Sequence, residues 1–419
     1  MDDKKKALMN KENIVVGLDI GSSKIAVFIG ALENQNQVRV LGFGVHELKK
    51  NAITDLDTLI QSLGKAVKEA ETMTGIDVKE VYVGVAGDYI TCFKSKGGVT
   101  LDPSRNEVRD SHIAAVIKHA STLPSTAGEI LHIFPGDYSL DEQKGIKNPI
   151  GMSGVRLDAE VQIVAAKPLH LQNVRKSVEK AGFEIAAMVL EPLASAYAIL
   201  HDEERELGVA IIDIGAGSAD LAVFFEDTVR YSVSLDLAGN IITSDIAKSF
   251  DTPISIARAE EMKKKHGIVS LSNILEDEII GVPGIGDRGV VPCSRKRLAK
   301  VMHARTSEIL MLIAENLRKR QLDKIIGAGI VLTGGTSAIE GIVELAEEIF
   351  KKPVRLGQPK QCIGLGESLS KPSFSVGVGL LHYAAKTKQK NKKETGPQVI
   401  VGSLKTGIHR FIQTLKNYI

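Results

Sequence analysis

Two aspartates, Asp19 and Asp213, occupy near-identical settings far apart in the chain: IVVGLDIGSSKIAVFIG over 14–30 and GVAIIDIGAGSADLAVFF over 208–225. Each stretch is a β-branched run ending in Asp-Ile-Gly, then small residues, then a second apolar run. This predicts a strand, a tight turn and a returning strand, used twice. A glycine-rich turn lets the main chain approach an anion so that several N–H groups converge on it. A carboxylate ending each first strand suits a hydrated Mg²⁺, which keeps several waters and takes one or two carboxylates. The hydroxyls of Ser22 and Ser23 and the ammonium of Lys24 add donors to a phosphate group. The chemistry these residues could do is to grip a phosphate together with its metal.

A third glycine element, GIVLTGGTSAIEGI (329–342), reads as a strand, a Gly-Gly turn and a helix start, where a base and ribose can lie against backbone. In ARAEEMKKKHG (257–267), Glu260 and Lys263 fall one helical turn apart. No G-x-x-x-x-G-K-[ST] is present, which argues against a P-loop. GIGDRG (284–289) follows Pro283 without a preceding strand and reads as a loop. The ten histidines form no ligand pair on a shared face. Cys92, Cys293 and Cys362 show neither metal nor disulfide spacing, so they read as thiols in a reducing compartment.

The elements that position these groups follow from periodicity. Residues 55–75 predict a helix, 78–87 a strand, and 111–123 a helix. The expected fold class is α/β, with two related lobes and an inserted subdomain in each. The first core subdomain takes 13–90, 169–205 and about 365–385, with 91–168 inserted. The second takes 206–247 and 316–364, with 248–315 inserted. Residues 1–12 are expected to be disordered, 386–399 a flexible basic linker, and 400–419 an amphipathic helix. Of 419 residues 43% are hydrophobic, enough for two cores. The net charge of +2 hides a split: residues 386–419 carry +7, leaving −5 on the rest. A basic end on an acidic body points to an anionic surface and away from nucleic acid. No apolar run approaches a membrane span.

The two hairpins, the helix start EPLASAYAIL (191–200) and the Gly-Gly turn together resemble the nucleotide site of the actin, Hsp70 and sugar-kinase superfamily. The segment HIFPGDYSLDEQKGIKNPIGMSGVRLDAEVQIVAA (132–166), with LAGNIITSDIA (237–247) and RLAKVMHARTSEIL (297–310), is similar within it to the FtsA family of actin-like bacterial cell-division proteins. The resemblance implies an ATP site with Mg²⁺ held through water by Asp19 and Asp213. Asp19, Gly21, Ser22, Ser23 and Lys24 match the first phosphate loop, and Asp213, Gly215, Gly217, Ser218 and Asp220 the second. Gly334, Gly335 and Thr336 match the adenosine turn, Glu260 and Lys263 the purine contact, and Gly239 and Asn240 a ribose-side turn. Glu191 corresponds to an acid near the attacking water in chaperone relatives. Ala219 lacks the hydroxyl found in other members, which implies slow hydrolysis.

The same resemblance implies that the second insertion docks the C-terminal tail of FtsZ, with Arg295, Lys300 and Arg305 as candidate contacts. It also implies filaments and recruitment of later division proteins. At 100° per residue, Leu404, Ile408, Phe411, Ile412, Leu415, Tyr418 and Ile419 fall in an arc of about 120°, an apolar stripe suited to the headgroup boundary of an anionic membrane. The expected protein is an ATP-binding scaffold on the cytoplasmic face of the membrane at the division septum. A small-molecule kinase, a chaperone-type ATPase and a pilus-assembly adaptor are the alternatives, and none has a use for such a terminus together with the 132–166 motif.

Overall fold

The structure, a computed structural model, describes residues 13–33, 37–48, 55–102, 107–122, 128–250, 254–271, 274, 278–283, 289–359 and 363–393. The membrane-facing candidates Leu404 to Ile419 lie outside these residues, as do 1–12.

Two five-stranded sheets share one plan. The first is built from β1 (Ile14–Ile20), β2 (Lys24–Leu32), β3 (Val38–Glu47), β4 (Glu80–Val85) and β9 (Glu184–Leu190), in the order β3-β2-β1-β4-β9. The second contains β10 (Val209–Ile214), β11 (Ala219–Phe225), β12 (Thr228–Leu235), β15 (Ile330–Thr333) and β16 (Val354–Leu356), in the order β12-β11-β10-β15-β16. In each, the first three strands pair antiparallel and the last two add in parallel. The duplicated hairpins anticipated at 14–30 and 208–225 are β1–β2 and β10–β11.

Ten helices complete the described residues: α1 (Leu56–Thr74), α2 (Asp110–Ala120), α3 (Pro168–Lys180), α4 (Glu191–Ile199), α5 (Asp202–Leu207), α6 (Gly239–Lys248), α7 (Ile256–His266), α8 (Arg295–Lys319), α9 (Ile342–Phe350) and α10 (Ser375–Lys393). Strand alternation sends Val16 and Leu18 of β1 toward α1, where Leu63, Ala66 and Ala70 meet them in one core. The opposite face, from Val15 and Phe28, packs on α10, which in turn packs on α4, and α4 also covers Ile211, Ala222 and Phe224 of the second sheet. The helix α4, backed by α10, therefore lies between the two sheets. The outer face of the second sheet buries Ile212 and Leu221 against α6, α8 and α9.

Between β4 and α3 the chain forms a separate sheet of β5 (Ile90–Thr100), β6 (Glu129–Leu140), β7 (Gln143–Ile146) and β8 (Arg156–Ala166), ordered β5-β8-β6-β7, with its own core against α2. Between α6 and α8 lie α7 and the hairpin β13 (Ile279–Pro283) with β14 (Val290–Ser294).

One boundary differs from expectation. The polar stretch from 386 predicts a spacer, yet α10 runs on to Lys393. Lys and Gln propagate a helix well once it is nucleated on packed Ala384 and Ala385. The Nζ of Lys388 then donates to the Ile14 carbonyl at 2.9 Å, tying this turn to the start of β1.

Candidate functional site

The two Asp-Ile-Gly turns close identically. Ile20 pairs with Ile25 and Ile214 with Ala219. The Gly21 N–H donates to the Lys24 carbonyl at 3.0 Å and the Gly215 N–H to the Ser218 carbonyl at 2.9 Å. They also meet: a Cβ placed on Gly217 would stand 2.2 Å from the Ser22 hydroxyl. The turns thus face one another across a gap that only glycine leaves open.

Four acids converge there. Asp19, Asp213 and Asp220 are at most 7% exposed, and Glu191 opens α4 beside Gly84, whose Cβ would lie 3.0 Å from the Glu191 Cγ. Burial raises the Asp213 carboxyl to about 7, with Asp220 and Asp19 pushing the same way, against the Ser195 hydroxyl that donates to it at 2.8 Å. Burial likewise raises Asp220 to about 6, partly offset by the Ser218 hydroxyl at 2.7 Å. Asp19 is raised by burial against the pull of Lys24, and Glu191 lies well above the ordinary range through burial and then Asp19, Asp220 and Asp213. Lys24 is the nearby cation: burial lowers it while Asp19 and Asp213 hold it up. Its ammonium, expected to meet phosphate directly, donates to the Ser373 carbonyl at 2.5 Å and lies 4.5 Å from the centre of the Phe374 ring.

Such a cluster wants countercharge. Among the described residues no three His, Cys, Asp or Glu side chains are close enough to hold a metal directly. Two carboxylates, Asp19 and Asp213, one from each hairpin, are a donor set that fits a divalent ion keeping its waters.

The second turn is the hub for the remaining candidates. The Gly215 carbonyl accepts from the Gly239 N–H at 3.1 Å and from the Thr336 hydroxyl at 2.7 Å, and the Asn240 N–H donates to the Ala216 carbonyl at 2.7 Å. Gly334, at φ 87°, would clash with the Asp213 Oδ1 at 2.4 Å if it bore a Cβ. A 3₁₀ turn (Gly335–Ala338) follows it, so α9 begins only at Ile342 and its N-terminus is not at the Gly-Gly turn. Glu260 and Lys263 pair at 2.6 Å, and the Lys263 Nζ donates to the Gly239 carbonyl at 3.0 Å and to Thr243 at 2.9 Å.

The structure brings together every candidate from Asp19 to Thr336 except the three cations. Arg295, Lys300 and Arg305 share α8, but steps of five residues turn each by about 140° from the last. They do not form one face. The Arg295 guanidinium donates to Glu278 at 2.9 Å and reaches Glu340, and Arg305 binds Asp245 at 2.6 Å and Glu308 at 2.5 Å. Lys300 is exposed. Sequence reasoning missed Ser195, Thr243, Ser373 and Phe374. Ser195 lies one turn after Glu191 and Thr243 one turn after Gly239, an i,i+4 spacing that could have found both.

A family model described as Cell division protein FtsA matches residues 210–379, and one described as SHS2 domain inserted in FTSA matches 87–165. Cell division protein FtsA of Pseudomonas aeruginosa is 40% identical over 381 residues, covering 90% of each chain. The chain belongs to the FtsA family. FtsA of Escherichia coli K12 is 34% identical over 397 residues, 92% of this chain and 94% of that one. Among solved structures, that of the PilM-PilN type IV pilus biogenesis complex aligns with TM-score 0.61 at 17% identity, covering 88% of this chain and 98% of that one. MreB5 of Spiroplasma citri bound to ADP aligns with TM-score 0.55 at 15% identity, covering 91% and 99%. The fold is actin-like, and FtsA membership makes this a cell-division protein. The kinase and chaperone alternatives give way to that likeness along nearly the whole chain. The helix expected at the C-terminus lies outside the described residues.

Proposed function

We propose that this chain binds ATP with Mg²⁺ between its two hairpins, assembles into filaments, and tethers an FtsZ ring to the cytoplasmic face of the membrane at the septum, where later division proteins join it. The observation that carries the reading is the meeting of Ser22 and Gly217 beside three buried acids and the partly buried Glu191. Converging turn amides hold phosphates, and Asp19 and Asp213 hold the waters of the ion. Bound Mg²⁺ would supply positive charge to balance the phosphates and these acids. Glu260, Lys263, Gly239 and Thr336 line the nucleoside side.

Hydrolysis is slow in this reading. Burial, then Asp19, Asp220 and Asp213, push the Glu191 carboxyl up, which works against the ionised form that a base activating water needs. Nucleotide therefore acts as a clamp that sets filament contacts. Filaments matter for anchoring, since one amphipathic helix binds reversibly while many on one filament gain roughly 10² to 10⁴ in avidity. The pairing of Arg295 and Arg305 with acids of their own lobe leaves Lys300 as the better starting point for mapping the FtsZ tail.

The test is co-sedimentation with vesicles containing anionic lipid. The full chain should pellet with them, more completely with ATP and Mg²⁺, and a chain ending at Lys393 should stay in the supernatant. A cut at 386 is unsuitable, because it removes the Lys388 contact with Ile14. Equal pelleting of the two chains would reject the anchor.

A further inference from the structure

The inserted sheet reaches the site through one buried side chain. His132 on β6 is 1% exposed, and its Nε2 accepts the Leu190 N–H at 3.0 Å. Leu190 ends β9 and directly precedes Glu191, the first residue of α4. Four residues further along α4, Ser195 donates to Asp213. A continuous path therefore runs from the inserted sheet through the β9–α4 junction to the second hairpin.

The backbone of β6 is shaped for this contact. Ile130 pairs with Ala165 and His132 with Val164, so Leu131 is an extra residue on this strand. Such bulges re-aim side chains. Here Ile130 and Ile133 belong to the core of the inserted sheet, while Leu131 packs in the central core of α4 and α10. The His132 ring sits edge-on to Tyr383 of α10 at 6.1 Å. Burial holds this imidazole down at about 4, so the ring is neutral and Nε2 remains an acceptor with the proton on Nδ1. The same sheet also touches the second lobe, where Lys147 bridges Asp137 at 2.7 Å and Glu226 at 2.5 Å.

We infer that His132 is a positioning residue that fixes the Leu190–Glu191 junction and so couples the inserted sheet to the cleft, making nucleotide affinity depend on the state of that sheet and the reverse. Coupling of this kind is reciprocal by linkage. The inference rests on the nucleotide reading of the cleft proposed above.

Gln and Asn separate positioning from packing. A Gln amide at 132 reaches the place of Nε2, an Asn amide only that of Nδ1, and both put a neutral amide in the same pocket. With the full chain, fluorescent-ATP titration in Mg²⁺ should show His132→Asn weakened by about tenfold and His132→Gln by less than about twofold, with the lower unliganded melting temperature in His132→Asn, where the Leu190 N–H keeps no acceptor. Equal affinities for the two variants, or native affinity in both, would overturn the inference. A native chain that binds no ATP would instead sink the nucleotide reading, which keeps the two failures distinct. Should neither variant fold, hydrogen exchange on the native chain decides: saturating ATP with Mg²⁺ should slow segments 129–140 and 186–200 together. Protection confined to the turns 21–24 and 215–218 would overturn the coupling.

Discussion

In the first hairpin the turn carries Ser22, Ser23 and Lys24, whereas the matching positions of the second carry Ala216, Gly217 and Ser218. Opposite Asp19 stands Ala26, and opposite Asp213 stands Asp220. Duplication has kept the backbone and divided the charge. One turn offers hydroxyls and a cation, the other a pair of acids with room for close approach. An acidic turn alone would need its countercharge from outside, and a cationic turn alone would hold phosphate without the metal. The asymmetry lets one cleft bind both.

The largest expected effect comes from removing charge on the acidic side. Folding raises the Asp213 carboxyl from its ordinary 3.8 to about 7, so the fold favours the protonated form. The stability this group contributes is whole below about pH 4, falls as pH rises, and is lost above about 7. Across that window the change is on the order of 4 kcal/mol for an unliganded chain. Asp213→Asn should therefore match the native chain near pH 4 and exceed its unfolding free energy above pH 7, as read by urea denaturation. In the same variant ATP affinity in Mg²⁺ should fall by about a hundredfold. A variant that is no more stable at pH 8 would show that these acids are not strained, and the need for a metal would go with it.

The contact between the turns is the next target. Gly217→Ala places a methyl within 2.2 Å of the Ser22 hydroxyl. Overpacking of this kind costs about 1–3 kcal/mol, so ATP affinity should drop by about tenfold. Adding Ser22→Gly to Gly217→Ala should restore most of the lost unfolding free energy, while ATP affinity recovers only in part because the Ser22 hydroxyl is gone. If the second change brings no recovery, the turns do not meet in solution and the comparison fails.

What the sequence discloses follows from how local each signal is. The hairpins, α1 and the Glu260–Lys263 pair are written in spacings of two to four residues, and periodicity reads them directly. The grip on Lys24 is not, because its acceptor is the main-chain carbonyl of Ser373, and a carbonyl has no residue signature. Arg295 resembles a free cation in the sequence because its acids, Glu278 and Glu340, arrive from other elements, and of the two acids on Arg305 only Glu308 shares its helix while Asp245 comes from α6. The extension of α10 past 386 depends on packing against α4 and β1, which composition cannot weigh. His132 opened the motif that carried the family resemblance, yet only the bulge at Leu131 explains where it points.

The smallest effect concerns the two ends of the inserted sheet. At one end His132 is buried, and its loss leaves the Leu190 N–H without an acceptor in a dry place. At the other end Lys147 and Glu226 keep 56% and 40% of their side-chain surface exposed, where solvent screens the pair. Exposed pairs contribute about 0.2–1 kcal/mol. Lys147→Ala should thus lower unfolding free energy by about 0.5 kcal/mol, less in high salt, and leave ATP affinity within about twofold. That outcome would make the sheet a part of the first lobe that merely rests on the second. A Lys147→Ala loss in ATP affinity as large as that of His132→Asn would reverse the ranking, because the sheet would then be clasping both lobes and the cleft would open against two latches of equal strength.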